Sequence, residues 1–152
     1  MTTETLLDLS RFLPFRLSVL SNTVSERIAA TYRRDFGLST AQWRVIAVIR
    51  QAPGLTATAL TEQTAMDKVA VSRAVAGLIG DKRLERRATP HDGRSSALFL
   101  TRAGELIYDQ VAPLAQELEE NLLRTLSEKE RADLERLMIK LARAASPDRQ
   151  LW

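Results

Sequence analysis

Cysteine is absent from all 152 residues. Disulfides, thiolate metal sites and thiol redox sensing are therefore excluded, and a reducing compartment suits the chain. Histidine occurs once, at His91. A histidine-based triad thus has one candidate member and no thiol to activate, and no HExxH pattern exists. A glycine-rich phosphate loop is also missing, and the carboxylates are scattered without a paired site. The expectation is a protein that is not an enzyme and needs no metal and no cofactor. No apolar run reaches membrane-spanning length. The opening Met1–Leu6 has neither the basic region nor the apolar core of a secretion signal. A soluble, cytoplasmic protein with no membrane partner is expected. Aromatic residues make up only 5%, so the core must be mostly aliphatic.

What is present is ordinary globular material: 45% hydrophobic and 27% charged residues, with a formal net charge of +3. The length favours one compact unit. The charge is unevenly placed. Between Asp67 and Arg102 stand Lys68, Arg73, Lys82, Arg83, Arg86, Arg87, Arg94 and Arg102, against Asp67, Asp81, Glu85 and Asp92. The next stretch reverses sign, with Glu105, Asp109, Glu117, Glu119 and Glu120 against Arg124. A basic middle beside an acidic helix suits one polyanion-facing surface, or else a set of solvated charges.

Hydrophobic periodicity orders the chain. Pro14 suits a first helical turn, and Leu17, Leu20, Val24, Ile28 and Tyr32 recur at helical spacing until Gly37. Ser39-Thr-Ala-Gln42 reads as a capping box before a helix carrying Trp43, Ile46, Ala47 and Ile49. Pro53-Gly54 breaks that helix, and a short one follows around 57–63. Asp67 can cap another running to about Lys82, with Val71, Val75, Leu78 and Ile79 inward. The period then changes. Residues 84–89 and 97–101 look like two strands joined by the turn-rich 90–96 segment, longer than the tightest hairpin loops. Thr101 can cap a helix carrying Leu106, Val111, Leu114, Leu118, Leu122 and Leu126, which Pro113 should kink or interrupt. Ser127-Glu-Lys-Glu130 opens a last helix with Leu134, Leu137, Met138 and Leu141, and Ser146-Pro147 ends it. The fold class is mainly α with a small β-hairpin.

A short helix, a tight turn and an amphipathic helix make a helix-turn-helix, and a basic hairpin directly behind makes it winged. An α-helix fits the DNA major groove and reads base edges from its N-terminal half. That half offers Lys68, Val69, Ala70, Ser72 and Arg73. Arg73 suits a forked contact to guanine, Ser72 a phosphate or base, and Val69 and Ala70 the methyl groups of thymine. In the hairpin, Asp92-Gly93-Arg94 lets an acid hold a base across a glycine. An extended Arg94 at the wing tip suits the narrow, strongly negative minor groove. His91 is read as a loop residue or a phosphate contact. A winged helix that binds protein instead of DNA is the alternative, although it would not need both Arg73 and Arg94 on the groove-facing side.

The run Asp67-Lys-Val-Ala-Val-Ser-Arg73, with Leu78, Leu84, Arg87, Asp92-Gly-Arg-Ser95 and Leu100-Thr-Arg-Ala-Gly104, resembles the multiple-antibiotic-resistance regulator (MarR) family. The segment Leu38-Ser-Thr-Ala-Gln-Trp43 is similar too, so the resemblance spans nearly the whole chain. Gly93 departs from it, because many relatives carry arginine there; the tip is left to Arg94. The resemblance implies a transcription regulator, a repressor more readily than an activator. Residues 1–36 and 102–152 would form an interleaved homodimer around a DNA-reading lobe at 37–101. Two recognition helices would then meet a pseudo-palindromic operator on double-stranded DNA. The resemblance also implies a small aromatic effector held by residues such as Phe12, Phe15, Arg16, Trp43, Arg44 and Tyr108. The opening Phe12-Leu-Pro-Phe-Arg-Leu17 is similar to regulators of hydroxycinnamate and related aromatic catabolism, some of which respond to acyl-CoA thioesters.

Overall fold

The computed structural model describes residues 6–89, 92–149 and 151, and of residues 89 and 92–95 it describes the backbone alone. Six helices and one hairpin follow in order: α1 (Leu13–Phe36), α2 (Thr40–Gln51), α3 (Ala57–Thr64), α4 (Lys68–Gly80), β1 (Leu84–Thr89), β2 (Asp92–Leu100), α5 (Arg102–Leu123) and α6 (Glu128–Ala145). No helix among the described residues is long and apolar enough to cross a membrane. The chain divides into two compact units, 1–114 and 115–152.

Local signals set most of the boundaries in the first unit. Pro14 occupies the first turn of α1, and Gly37 ends that helix at φ 64°, a left-handed geometry that costs glycine nothing. The capping box is formed: Gln42 N–H donates to Ser39 Oγ at 3.1 Å, and Ser39 N–H donates to Gln42 Oε1 at 3.0 Å. Thr56 and Asp67 cap α3 and α4 by accepting from the backbone of Ala59 (3.2 Å) and Ala70 (2.8 Å). Helix α4 stops at Gly80, before the expected Lys82. Lys82 itself is left-handed, at φ 58°, and turns the chain into β1.

The hairpin differs from expectation. β2 begins at Asp92, not near Ala97, so only residues 90 and 91 separate the strands. The register runs from Leu84↔Leu100 to Ala88↔Ser96 and then jumps to Thr89↔Asp92. Residues 93–95 are therefore extra on β2, a bulge where a long loop was expected. Leu55 adds a third rung: Leu98 N–H donates to Leu55 O (2.9 Å), and Gly54 N–H donates to Leu98 O (2.8 Å). Gly54 is favoured there by its φ of +89°, and a Cβ would also lie 3.3 Å from the Phe99 ring, a tight contact.

The core of this unit is aliphatic around Tyr32. Leu38, Val45, Ile46, Ile49, Leu60, Val71, Val75, Leu78, Leu84, Leu98 and Val111 are all fully buried. Val45 takes the place expected of Ala47, and Ile107, not Leu106, points inward from α5. Pro113 does not interrupt α5, which ends at Leu123, short of the expected Leu126. The ring removes one helical hydrogen bond, and packing elsewhere along the helix tolerates the loss.

In the second unit, Ser127 and Glu130 close the expected capping box. Arg131 ties α6 to the end of α5. It donates to both carboxylate oxygens of Glu120, at 3.1 and 3.3 Å, and to Leu123 O at 3.0 Å. No residue of α6 is buried, and Leu134, Leu137, Met138 and Leu141 are all exposed.

Candidate nucleic-acid interface

Helix α4 carries two opposed stripes. Val71, Ala74, Val75 and Leu78 recur at helical spacing and are buried against the core. Val69, Ser72, Arg73 and Ala76 repeat the same spacing on the other side, and all four are exposed. Lys68 is exposed beside them, and Ala70 is half-buried at the edge. The Asp67 cap fixes where this outer stripe starts. Neither Lys68 nor Arg73 is hydrogen-bonded or ion-paired through its side chain to another described residue. Among the described residues neither cation is occupied.

Position 77 is a close approach between helices. A Cβ on Gly77 would fall 2.7 Å from Gln42 Nε2, the amide that closes the α2 capping box. The outer stripe is thus presented by a helix seated directly against the first turn of α2.

The hairpin stem is differently committed. Arg87 lies over the Phe99 ring, 4.2 Å from its centroid, and donates through Nε to Glu85 at 2.8 Å. Arg86 donates to Ser96 Oγ at 3.2 Å. These two cations brace the stem. The bracing role of Arg87 was not legible in the sequence, because its Phe99 partner lies across the sheet. His91 lies outside the described residues. The side chains of Asp92 and Arg94 do too, and the expected ion pair between them falls with these. The backbone places Arg94 in the bulge of β2, close to the end of the hairpin.

The residues expected to hold an effector fall into two groups. Phe12, Phe15 and Arg16 stand at the start of α1, all exposed. Trp43 and Tyr108 are brought together, with ring centroids 5.8 Å apart and planes at 21°. Tyr32 also stacks on Trp43, again at 5.8 Å, and Arg50 lies over Tyr108 at 5.6 Å. A cluster of three rings and one guanidinium thus joins α1, α2 and α5. Tyr32 and Arg50 were not among the expected residues. Their spacing reads as helix periodicity, and only the fold shows the stacking. Arg44, half-buried, lies one residue beyond Trp43. The resolved carboxylate shifts lie elsewhere. Bonds from Arg33, Arg34 and Arg131 lower Glu26, Asp35 and Glu120 respectively, and the backbone N–H of Ser127 lowers Glu130.

Comparison with known proteins agrees with this geometry. The MarR family model matches residues 36–95, which span α2, α3, α4 and most of the hairpin. The multiple antibiotic resistance protein MarR of Escherichia coli is 30% identical over 83% of this chain and 88% of its own length. A MarR/EmrR family transcriptional regulator from Acinetobacter superposes with a TM-score of 0.83 at 28% identity, covering 93% of this chain and 99% of that one. A mutant E. coli MarR complexed with operator DNA superposes at 0.73 with 30% identity, over 83% of this chain and 91% of that one. With its two-stranded wing behind a capped recognition helix, this chain belongs to the MarR family of DNA-binding transcription regulators.

Proposed function

We propose that the protein is a homodimeric repressor that places α4 in the major groove of a pseudo-palindromic operator and its wing in the adjoining minor groove. The observation that carries this reading is the outer stripe of α4. Its cation and hydroxyl are exposed, bonded to no other described residue and opposite the buried stripe, so the helix presents a face of the chemistry that duplex DNA requires. The operator complex of the E. coli relative supports it. Exposed leucines along α1 and along α6 supply apolar faces that suit a second copy. Half-sites are then spaced by about one helical turn, or about 10 base pairs.

Release by a small aromatic or acyl-CoA-type effector completes the reading. Two phenylalanine rings beside Arg16 offer an apolar surface with a cation for a carboxylate or phosphate. Such a ligand acts by preferring a dimer whose recognition helices are misplaced for adjacent grooves.

The deciding experiment is titration of duplex fragments at several salt concentrations. Binding that weakens steeply with salt is expected, because each neutralised phosphate releases counterions. A flat salt response, or no binding at low salt, refutes DNA reading. Sedimentation giving a monomer at micromolar protein refutes the two-half-site arrangement. Arg94→Ala is expected to cost about 1–3 kcal/mol of operator affinity while leaving the dimer intact. Unchanged affinity rules out an inserted wing. Addition of aromatic carboxylates or their thioesters to the bound complex tests release.

A further inference from the structure

Between Leu20 and Leu106 one large hydrophobic side chain among the described residues is exposed, and it is Val69, at 58%. A single exposed apolar residue is ordinary on a protein surface. The place of this one is not. It stands in the outer stripe of α4, one turn before Arg73, on the face turned away from the core. It belongs neither to the buried core nor to the residues packed against it, and valine is a poorer helix former than alanine. Neither core packing nor helix propensity accounts for its presence. An apolar partner delivered by DNA does. In the major groove the one apolar group on a base edge is the C5-methyl of thymine.

We infer that Val69 reads a thymine methyl, and that with Arg73 it sets a two-point code in each half-site. This rests on the DNA-reading function proposed above. The spacing follows from helix geometry. Val69 and Arg73 are one turn apart, about 6 Å along the axis. Base pairs rise by about 3.4 Å. The thymine met by Val69 and the guanine met by Arg73 are therefore at most about two base-pair steps apart, the limit reached when α4 runs along the DNA axis. Ser72 and Ala76 flank the pair without bulk, so nothing else in the stripe competes for the thymine.

The size of the effect is set by one methyl group on the DNA. Burying a CH₂-sized group is worth about 0.8 kcal/mol, or about fourfold in affinity. Two half-sites make about fifteenfold.

The test starts from duplexes selected by the full-length protein from a random-sequence library. In one such duplex each thymine is replaced in turn by deoxyuridine, which differs only by the missing methyl. Affinities are measured by fluorescence anisotropy for the wild type and Val69→Ala. The substitution removes no buried contact and raises helix propensity, so the variant folds. The expected result is one symmetry-related pair of thymines, within about two steps of a guanine. There deoxyuridine weakens wild-type binding about fourfold per half-site and leaves Val69→Ala unaffected. A wild type indifferent to deoxyuridine at every position overturns the inference. So does a Val69→Ala protein with the same loss as the wild type. Failure to select any duplex overturns the DNA reading itself, and this inference with it.

Discussion

Gly104 stands where α5 crosses the start of the hairpin, and replacing it with alanine should damage the fold. A Cβ there would lie 2.2 Å from Arg83 O, 3.2 Å from Arg83 C and 3.3 Å from Leu100 Cδ2. The first two obstacles are backbone and cannot swing aside. Ordinary contact begins at 3.4 Å, so the helix and the strand entry must part by about 1.2 Å. Two bonds hold them together: Thr101 N–H donates to Arg83 O at 3.1 Å, and Thr101 Oγ1–H donates to Lys82 O at 2.7 Å. Overpacking of this kind costs about 1–3 kcal/mol. Loss of the two bonds adds about 2 kcal/mol, and alanine returns about 1 kcal/mol of helix propensity. The net loss is about 2–4 kcal/mol, a large share of the usual 5–15 kcal/mol of a folded domain. Gly80 is the matched control. It ends α4, and a Cβ there would meet nothing within 4 Å. Gly80→Ala should stabilise by about 0.5–1 kcal/mol. Denaturant titration of both variants checks the pair. A Gly104→Ala protein as stable as the wild type, or two glycines that respond alike, refutes the reasoning.

Other outcomes follow from the same geometry. Arg73→Ala should cost about 1–3 kcal/mol of operator affinity and relax the preference at one base pair, whereas Lys68→Ala should weaken all duplexes evenly and flatten the salt slope by about one. Parallel titrations on matched and mismatched duplexes separate the two. Glu130 titrates below its ordinary 4.5 because the Ser127 backbone N–H bonds its carboxylate. Its folded value is the lower one. The stability it adds is therefore complete above that ordinary value and disappears as pH falls through the folded value. Thermal melts of the wild type and Glu130→Gln across acid pH should converge at the low end; a gap that persists there contradicts the assignment.

Much of the fold could be read from residues close together in the chain. Ser39 with Gln42, Asp67, Ser127 with Glu130, and Gly37 each set a helix end through partners within a few positions, so their signals survive without tertiary context. The outer stripe of α4 was legible for the same reason, since periodicity alone separates Val69, Ser72 and Arg73 from Val71, Val75 and Leu78. What escaped depends on distant partners. Ile107 and not Leu106 turns inward because of where α5 lies on the core. Trp43 was expected on an apolar face, yet its surroundings are the rings of Tyr32 and Tyr108, which only the fold brings to it. The turn-rich composition of 90–96 suggested a loop, but pairing with β1 draws most of it into β2 as a bulge. Arg87 read as a free cation until Phe99 was placed beneath it.

The two stripes of α4 share no residue, and that has a consequence for how such a protein can diverge. Substitution at Val69, Ser72, Arg73 or Ala76 leaves the buried side chains untouched, so a change of sequence preference need not be accompanied by a loss of stability. Surface changes of this kind usually lie within about 0.5 kcal/mol. Duplicated copies can therefore drift toward different operators by single steps, each intermediate remaining folded. The constraint lies at Gly77, where a side chain would have to displace the Gln42 amide that caps α2. Preference can vary along the outer stripe, while the seat of the helix on α2 stays fixed.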